Sequence, residues 1–419
     1  MESSDRVAVI SSDTHAGADL LAYRPYLGAE WLDEFDRWTS DFVNPFESEH
    51  LLTNDPSCNW DSALRQQLVE SQGVVAEVIF PNTVPPFYPQ TQFFVPPPPR
   101  STPEYEHRWA GLQAHNRWLV DFCAELPGRR AGIAQIMLDD VDAAVDEIRW
   151  VSEVGLMGGV LVPGIPPGTG KEPLYSAMYD PIWSACEEYG VVVNCHSGAG
   201  VPEYHEDPVA LAILLKEVTW FANRNLAHLI YGGVFERHPD LRVAFTEQGS
   251  AWVVAELATL DSTILVMDEN KSAQHFFGGD EMVKRLSMLP SEYFARNCYL
   301  GSSPLRLSEC EMRYQIGVDR IMWGNDFPHI EGTYPYTIEA MRYVFAGVPE
   351  PEIRLMLGGT AAKVYGFDLD RLGPEVARIG PTIEEVTAPL VDPPTASLSS
   401  VFIPSVAEKK RVAYDARRG

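Results

Sequence analysis

Eight short apolar runs, each followed by a stretch with helical character, constrain this chain more than any other feature. They cover residues 7–11, 74–80, 131–138, 158–162, 191–194, 241–246, 298–301 and 320–323. Helices are expected between them over 60–73, 103–126, 141–154 and 175–189, then up to Phe235, from about Ala251, and over 336–345 and 351–365. Strands that alternate with helices predict a parallel sheet covered on both faces. Eight of them predict a closed (β/α)8 TIM-type barrel. The barrel is expected over 1–371, with insertions at about 16–59 after the first strand and 83–102 after the second. The remainder, 372–419, is rich in Pro, Thr and Ser and reads as an extension that wraps the barrel or is partly disordered.

In such barrels the chemistry sits where strands end and loops begin. The polar residues at those ends are Asp13 and His15 (strand 1), His196 (strand 5), Glu247 (strand 6), and Asp326 and His329 (strand 8). Asp13 and His15 are two apart, so on a strand they point to one side. Pro328 cannot donate to a sheet ladder, so strand 8 must stop before it. Three imidazoles and three carboxylates on strands 1, 5, 6 and 8 can converge on one centre, because strands 1 and 8 are neighbours in a closed barrel. Taken singly, each has a bland role as a turn, cap or core residue. Together they form a candidate metal site. The other histidines (50, 107, 228, 238, 275) are expected on surface helices or loops, with His115 and His205 intermediate.

The segment 84–99 carries a run of prolines interleaved with Phe87, Tyr88, Phe93 and Phe94. Its prolines forbid regular helix and favour extended backbone. It reads either as an exposed linker or as a packed lid over a pocket.

The formal net charge of −27 argues against a nucleic acid or an anionic membrane as partner, since phosphate binding needs a basic face. The basic residues 409–411 and 417–418 read as a solvated tail. No run of about 18 apolar residues occurs, so no membrane span is expected. The N-terminus lacks a basic region followed by an apolar run, the mark of a signal peptide. Six scattered cysteines without a CxxC pair fit a reduced, cytoplasmic compartment. A homodimer is the oligomer expected on general grounds.

Four segments carry a family resemblance: Asp13-Thr14-His15, Asn194-Cys195-His196, residues 232–241 and Gly324-Asn325-Asp326-Phe327-Pro328-His329. On them the chain resembles the amidohydrolase superfamily, in the branch of aminocarboxymuconate-semialdehyde decarboxylase and related benzoate decarboxylases. The resemblance extends to about Tyr365. It implies a divalent ion held by an H-x-H pair on strand 1, a histidine on strand 5 and an aspartate on strand 8. Asp13 departs from that pattern by standing where the first histidine is expected. Glu247 departs too, standing where many decarboxylases carry a histidine that acts as acid or base.

Zinc sites are usually rich in nitrogen or sulfur. Carboxylates in place of histidines harden a site toward Mn or Fe. Six donors also exceed what one tetrahedral ion needs, so two ions can share them. The reading this favours is a dinuclear non-haem iron monooxygenase that hydroxylates a small, largely apolar metabolite with O2. The alternative is a metal-dependent hydrolase or non-oxidative decarboxylase acting on a small carboxylate or amide, with Mn or Zn as further candidates for the ion. In either case Asp326, Glu247 and His196 are the expected catalytic residues. Arg65 and Arg306 are candidates to meet an anionic substrate.

Overall fold

The computed structural model describes residues 5–42, 56–89, 97–198, 200–204, 207–270 and 279–403. Eight strands run in chain order around a single parallel sheet: β1 (Val9–Ala16), β2 (Val74–Pro81), β3 (Arg130–Gln135), β4 (Gly159–Leu161), β5 (Val193–His196), β6 (Val243–Thr246), β7 (Cys298–Ser302) and β8 (Ile321–Trp323). Each pairs in parallel with the next. The seam between β8 and β1 is closed beyond the end of β8. There Thr14 bridges Phe327 in parallel. The backbone N–H of Asp326 donates to Asp13 O at 3.0 Å, and that of His15 donates to Phe327 O at 2.7 Å. The protein is therefore a nearly closed (β/α)8 barrel.

One apolar cluster, with Ile10, Val78, Phe80, Ile133, Val192, Ala244 and Met322, occupies inward strand positions. A larger one, with Val9, Ile79, Val193, Phe245 and Trp323, lies between the strands and the helices. The barrel is thus a packed core rather than a pore, and polar residues at the strand ends must face the mouth.

Two strands differ most from their expected bounds. β1 runs on through Asp13 and His15 to Ala16, because β2 on one side and the segment after β8 on the other satisfy its backbone. A register shift between Ser11 and Thr14 marks this polar stretch. β3 stops at Gln135 rather than 138. The chain there turns toward the helix Val141–Val154, capped by Asp140, whose side chain accepts from Ala143 N.

The insertion after β1 packs Phe35, Trp31 and Trp38 around Phe87 and against Ala110 and Ala114 of the helix Pro103–Ala124. Phe87, of the proline-rich segment, is therefore part of this aromatic wall. Residues 90–96, with Phe93 and Phe94, lie outside the described residues, as do His50, His205, His275 and the basic tail.

The C-terminal region folds back on the barrel as far as residue 403. Val7 N–H donates to Pro381 O and Ile383 N–H to Asp5 O, both at 2.8 Å. Val386, Val401 and Phe402 are fully buried, with the Phe402 ring 5.9 Å from that of Tyr343. Among the described residues, no helix is long and apolar enough to cross a membrane.

Candidate metal centre

All six residues singled out at the strand ends meet at the mouth of the barrel. Donor atoms of Asp13, His15, His196 and Glu247 lie within 4.8 Å of one another, as do those of His15, Asp326 and His329. A third, overlapping set adds Glu331 to Glu247 and Asp326. His15 Nε2 is 3.3 Å from both Asp13 Oδ1 and Asp326 Oδ1. His196 Nε2 is 3.5 Å from Asp13 Oδ1 and 3.1 Å from Glu247 Oε2.

The backbone holds these groups in place. Ser11 Oγ–H donates to Asn325 Oδ1 at 2.8 Å, and Asn325 N–H donates back to Ser11 Oγ at 3.0 Å. Asp326 follows at φ 56°, and Glu247 has φ 58°. Such left-handed backbone is uncommon outside glycine and costs of order 1–3 kcal/mol per residue. Two of the candidate carboxylates thus sit on strained turns, each tied by its own backbone N–H to a neighbouring strand. Glu247 N–H donates to Gly301 O at 3.1 Å, and Gln248 Nε2 to Cys195 O at 2.9 Å. Gly324 leaves no room for a side chain, because a Cβ there would lie 2.9 Å from Asp13 Cβ and 2.8 Å from Ser303 Oγ.

The imidazoles are oriented by backbone carbonyls. His15 Nδ1 lies 3.3 Å from Pro81 O, and His196 Nδ1 lies 3.0 Å from Ser197 O. Both rings thereby turn Nε2 inward, the arrangement that fixes a ligating histidine. His329 is engaged differently. Its Nδ1 is 2.7 Å from Asp326 Oδ1 and its Nε2 is 3.1 Å from Asn82 Oδ1. Asn59 Nδ2 donates to Pro56 O, so Asn59 Oδ1 accepts from Asn82 Nδ2 at 2.7 Å. Asn82 therefore turns its oxygen to His329, both of whose ring nitrogens are engaged. Here His329 stands as a partner of Asp326, and to ligate an ion it would have to give up one of these bonds.

What makes the cluster chemically unusual is what its buried atoms lack. Asp13 Oδ1 and Oδ2, His15 Nε2, His196 Nε2 and Asp326 Oδ2 are buried without a hydrogen-bond partner. Unpaired buried polar atoms are costly, and these converge. Burial works against charge on Asp13, yet the adjacent His15 and His196 hold its carboxyl well below the usual range. Burial likewise opposes a proton on His15, but Asp13 and Asp326 raise it well above an ordinary imidazole. His196 is raised against burial by Glu247 and Asp13. Asp326 is lowered against burial by His329 and His15. Glu247 is pushed up to about 7, by burial first, with Asp326 and Asp13 adding and His196 opposing. Protons thus take the place a cation would fill, and the donor set fits a divalent ion.

A family model described as Amidohydrolase matches residues 90–367. The chain belongs to the amidohydrolase family. As the four motifs imply, it falls in the aminocarboxymuconate-semialdehyde decarboxylase-like branch of the superfamily. This amidohydrolase is 27% identical over 292 residues to the gamma-resorcylate decarboxylase of Rhodococcus jostii, covering 66% of this chain and 82% of that one. A second gamma-resorcylate decarboxylase, from a Rhizobium species, is 25% identical over 228 residues, covering 51% of this chain and 64% of that protein. The solved structure of 5-carboxyvanillate decarboxylase from Sphingomonas paucimobilis superposes with a TM-score of 0.63 at 19% identity, over 86% of this chain and all of the other. A 5-carboxyvanillate decarboxylase from Novosphingobium aromaticivorans, complexed with manganese and 4-hydroxy-3-methoxy-5-nitrobenzoic acid, gives 0.59 at 17% identity, over 86% and 97%. At these identities the structural likeness shows the fold.

Two residues expected to meet an anionic substrate do not stand free in the amidohydrolase barrel. Arg65 is fully buried and bound to Glu77, with Nη2 donating to Oε2 at 2.8 Å and Nη1 to His15 O at 2.7 Å. Arg306 Nη2 donates at 2.9 Å to the buried Glu309. His238 is buried rather than on the surface, between Asp180 and Glu187. Residues not anticipated from the sequence are Ser11 and Asn325 at the seam, Asn82 behind His329, and Glu331. Asn82 directly follows β2, but its partner is 247 positions away.

Proposed function

We propose that this protein is a divalent-metal-dependent, non-oxidative decarboxylase of a small aromatic carboxylate, with manganese as its ion. The observation that carries the reading is the convergence of unpartnered buried donors on Asp13, His15, His196 and Asp326 at the barrel mouth. It is supported by the curated relatives, which are decarboxylases of a dihydroxybenzoate class, and by a fold neighbour complexed with manganese. The di-iron oxygenase favoured on sequence has no counterpart among these relatives.

In this reading Asp13, His15, His196 and Asp326 hold the ion. An ion held there would supply Lewis acidity, polarising the substrate's oxygen atoms. Asp326 is oriented by His329 and by the seam hydrogen bonds. Glu247 is the proton carrier, since it is the more exposed of the two carboxylates in the four-residue set and lies next to His196. It delivers its proton to the ring carbon that bears the carboxylate. The bond from that carbon to the carboxylate then breaks, CO2 leaves with no electron exchanged, and Glu247 regains a proton from water. Phe80, with its ring 4.5 Å from that of His196, offers an apolar wall at the centre.

A second reading has its own observation. Glu247, Asp326 and Glu331 form a third donor set that overlaps the first two, enough for two ions and O2 chemistry. One experiment separates the two. Purified protein loaded with Mn2+ is incubated with a panel of hydroxybenzoates under nitrogen, and CO2 release is followed alongside metal analysis. The expected result is CO2 release unchanged by removing oxygen, at about one Mn per chain. Two irons, with turnover that stops under nitrogen, would sink the decarboxylase reading.

A further inference from the structure

Among the described residues, one buried cation outside this cluster has no anion. Arg108 is 6% exposed, and its Nε and Nη1 have no hydrogen-bond partner. Its guanidinium carbon lies 4.2 Å from the centroid of the Tyr88 ring. No carboxylate pairs with it among the described residues. Arg65 and Arg130, also buried, are instead grouped around Glu77. A buried guanidinium without a counter-charge is costly, so its retention points to an anion supplied from outside.

The helix Pro103–Ala124 sets where Arg108 points. Arg108 and Leu119 are eleven residues apart, hence within about 20° around the helix and about 16 Å along it. Leu119 lies against Gly132 of β3, where a Cβ would come within 2.7 Å of Leu119 Cγ. This face of the helix therefore looks across β3 toward the barrel axis. Asn116 marks the rim, for its side chain accepts from Gln135 N–H at 2.8 Å and donates to Gln135 O at 2.9 Å. Gln135 is the last residue of β3. Arg108 lies two turns, about 12 Å, nearer the N-terminus of the helix. That end is on the mouth side, because the helix follows the loop leaving the carboxyl end of β2. Gln135 alternates with Ala131 and Ile133 of the inner cluster, so it faces the interior, and its Nε2 is also buried without a partner.

We propose that Arg108, with Gln135 below it, forms an anion subsite over the mouth. It receives a second carboxylate on the substrate while the reacting carboxylate lies at the metal cluster. This rests on the aromatic-acid reading above and narrows it to rigid diacids, which can present one carboxylate to each place. A monoacid can satisfy only one of them. Tyr88 stacks on the guanidinium and keeps its fork turned toward the ligand.

The test is calorimetric binding of benzoate and terephthalate to the Mn-loaded protein, in the wild type, Arg108→Leu and Arg108→Lys. Wild type is expected to bind terephthalate at least about tenfold more tightly than benzoate, the scale of hydrogen bonds to a charged group. Arg108→Leu should erase that preference by weakening terephthalate binding, and Arg108→Lys should restore part of it. Ligand-free Arg108→Leu should melt no lower than wild type, since it removes an unpaired buried charge. Equal affinity of the wild type for the two acids, binding of neither, a preference that survives in Arg108→Leu, or a lowered melting temperature would each overturn the subsite. An Arg108-dependent preference without CO2 release from any acid would keep the subsite and remove decarboxylation. CO2 release from monoacids with no such preference would do the reverse.

Discussion

Asp13 is fully buried with no hydrogen bond to either carboxylate oxygen, yet its neighbours keep it ionised. A side chain in that state is held for a cation. Asp13→Asn keeps the shape and removes the charge. Bound manganese should stabilise the wild type by about 2.7 kcal/mol at a hundredfold excess over its dissociation constant. The variant is expected to lose this shift in thermal unfolding and to purify with little metal. Its turnover should fall by more than the roughly 10–100-fold typical of disturbing a residue behind the ligands. A variant that retains manganese would exclude Asp13 from the ligand set. The convergence of these six residues was legible because polar groups on the ends of apolar strands have few other uses. Arg108 was not, because a cation in an amphipathic helix reads as solvated until its burial is known. Arg65 was misread as free to meet a substrate anion, since the Glu77 that neutralises it is on the next strand rather than on its own helix.

At the scale of elements, the seam between β1 and the segment after β8 decides whether the centre exists. β8 proper contributes three residues, and closure depends on Gly324 to Phe327 lying against Asp13 to His15. Gly324→Ala tests this locally. The added methyl would meet Asp13 Cβ and Ser303 Oγ at 2.9 and 2.8 Å, distances that require something to move. Metal affinity, read by competition with a chromophoric chelator, is expected to fall at least about tenfold, the scale on which disturbed support costs a site. The circular dichroism spectrum should stay unchanged. Unaltered affinity would mean that Asp13 is not positioned by the seam. The eight-fold alternation was legible in the sequence because each apolar run is buried on both faces and so reads as a continuous stretch. The extent of β1 was not, because its polar end is held as strand by β2 on one side and, on the other, by partners more than 300 residues away.

At the scale of the whole molecule, the C-terminal region is tied to the barrel's second sector through Glu70. This residue ends the helix Ser62–Glu70 and accepts from Arg378 Nη1 and Nη2, both at 2.7 Å, and from Arg129 Nη1 at 2.8 Å. Arg378 belongs to the helix Leu369–Ile379 and Arg129 immediately precedes β3, so one carboxylate joins three segments. Arg378 first, then Gln66 and Arg129, hold Glu70 down from 4.5 to about 2, against burial. A carboxyl whose folded pKa is depressed stabilises the protein above its unfolded pKa, and the contribution disappears as pH falls through the folded one. The stability difference between wild type and Glu70→Gln should therefore be constant above pH 4.5 and shrink toward zero as pH approaches 2. Because Arg378 is half exposed, the plateau should be only about 1 kcal/mol. Urea unfolding at stepped pH measures it, and added salt should reduce it, since exposed pairs are screened. A difference that persists unchanged down to pH 2 would show that Glu70 acts by packing rather than by charge, leaving the C-terminal region held by Val386, Val401 and Phe402.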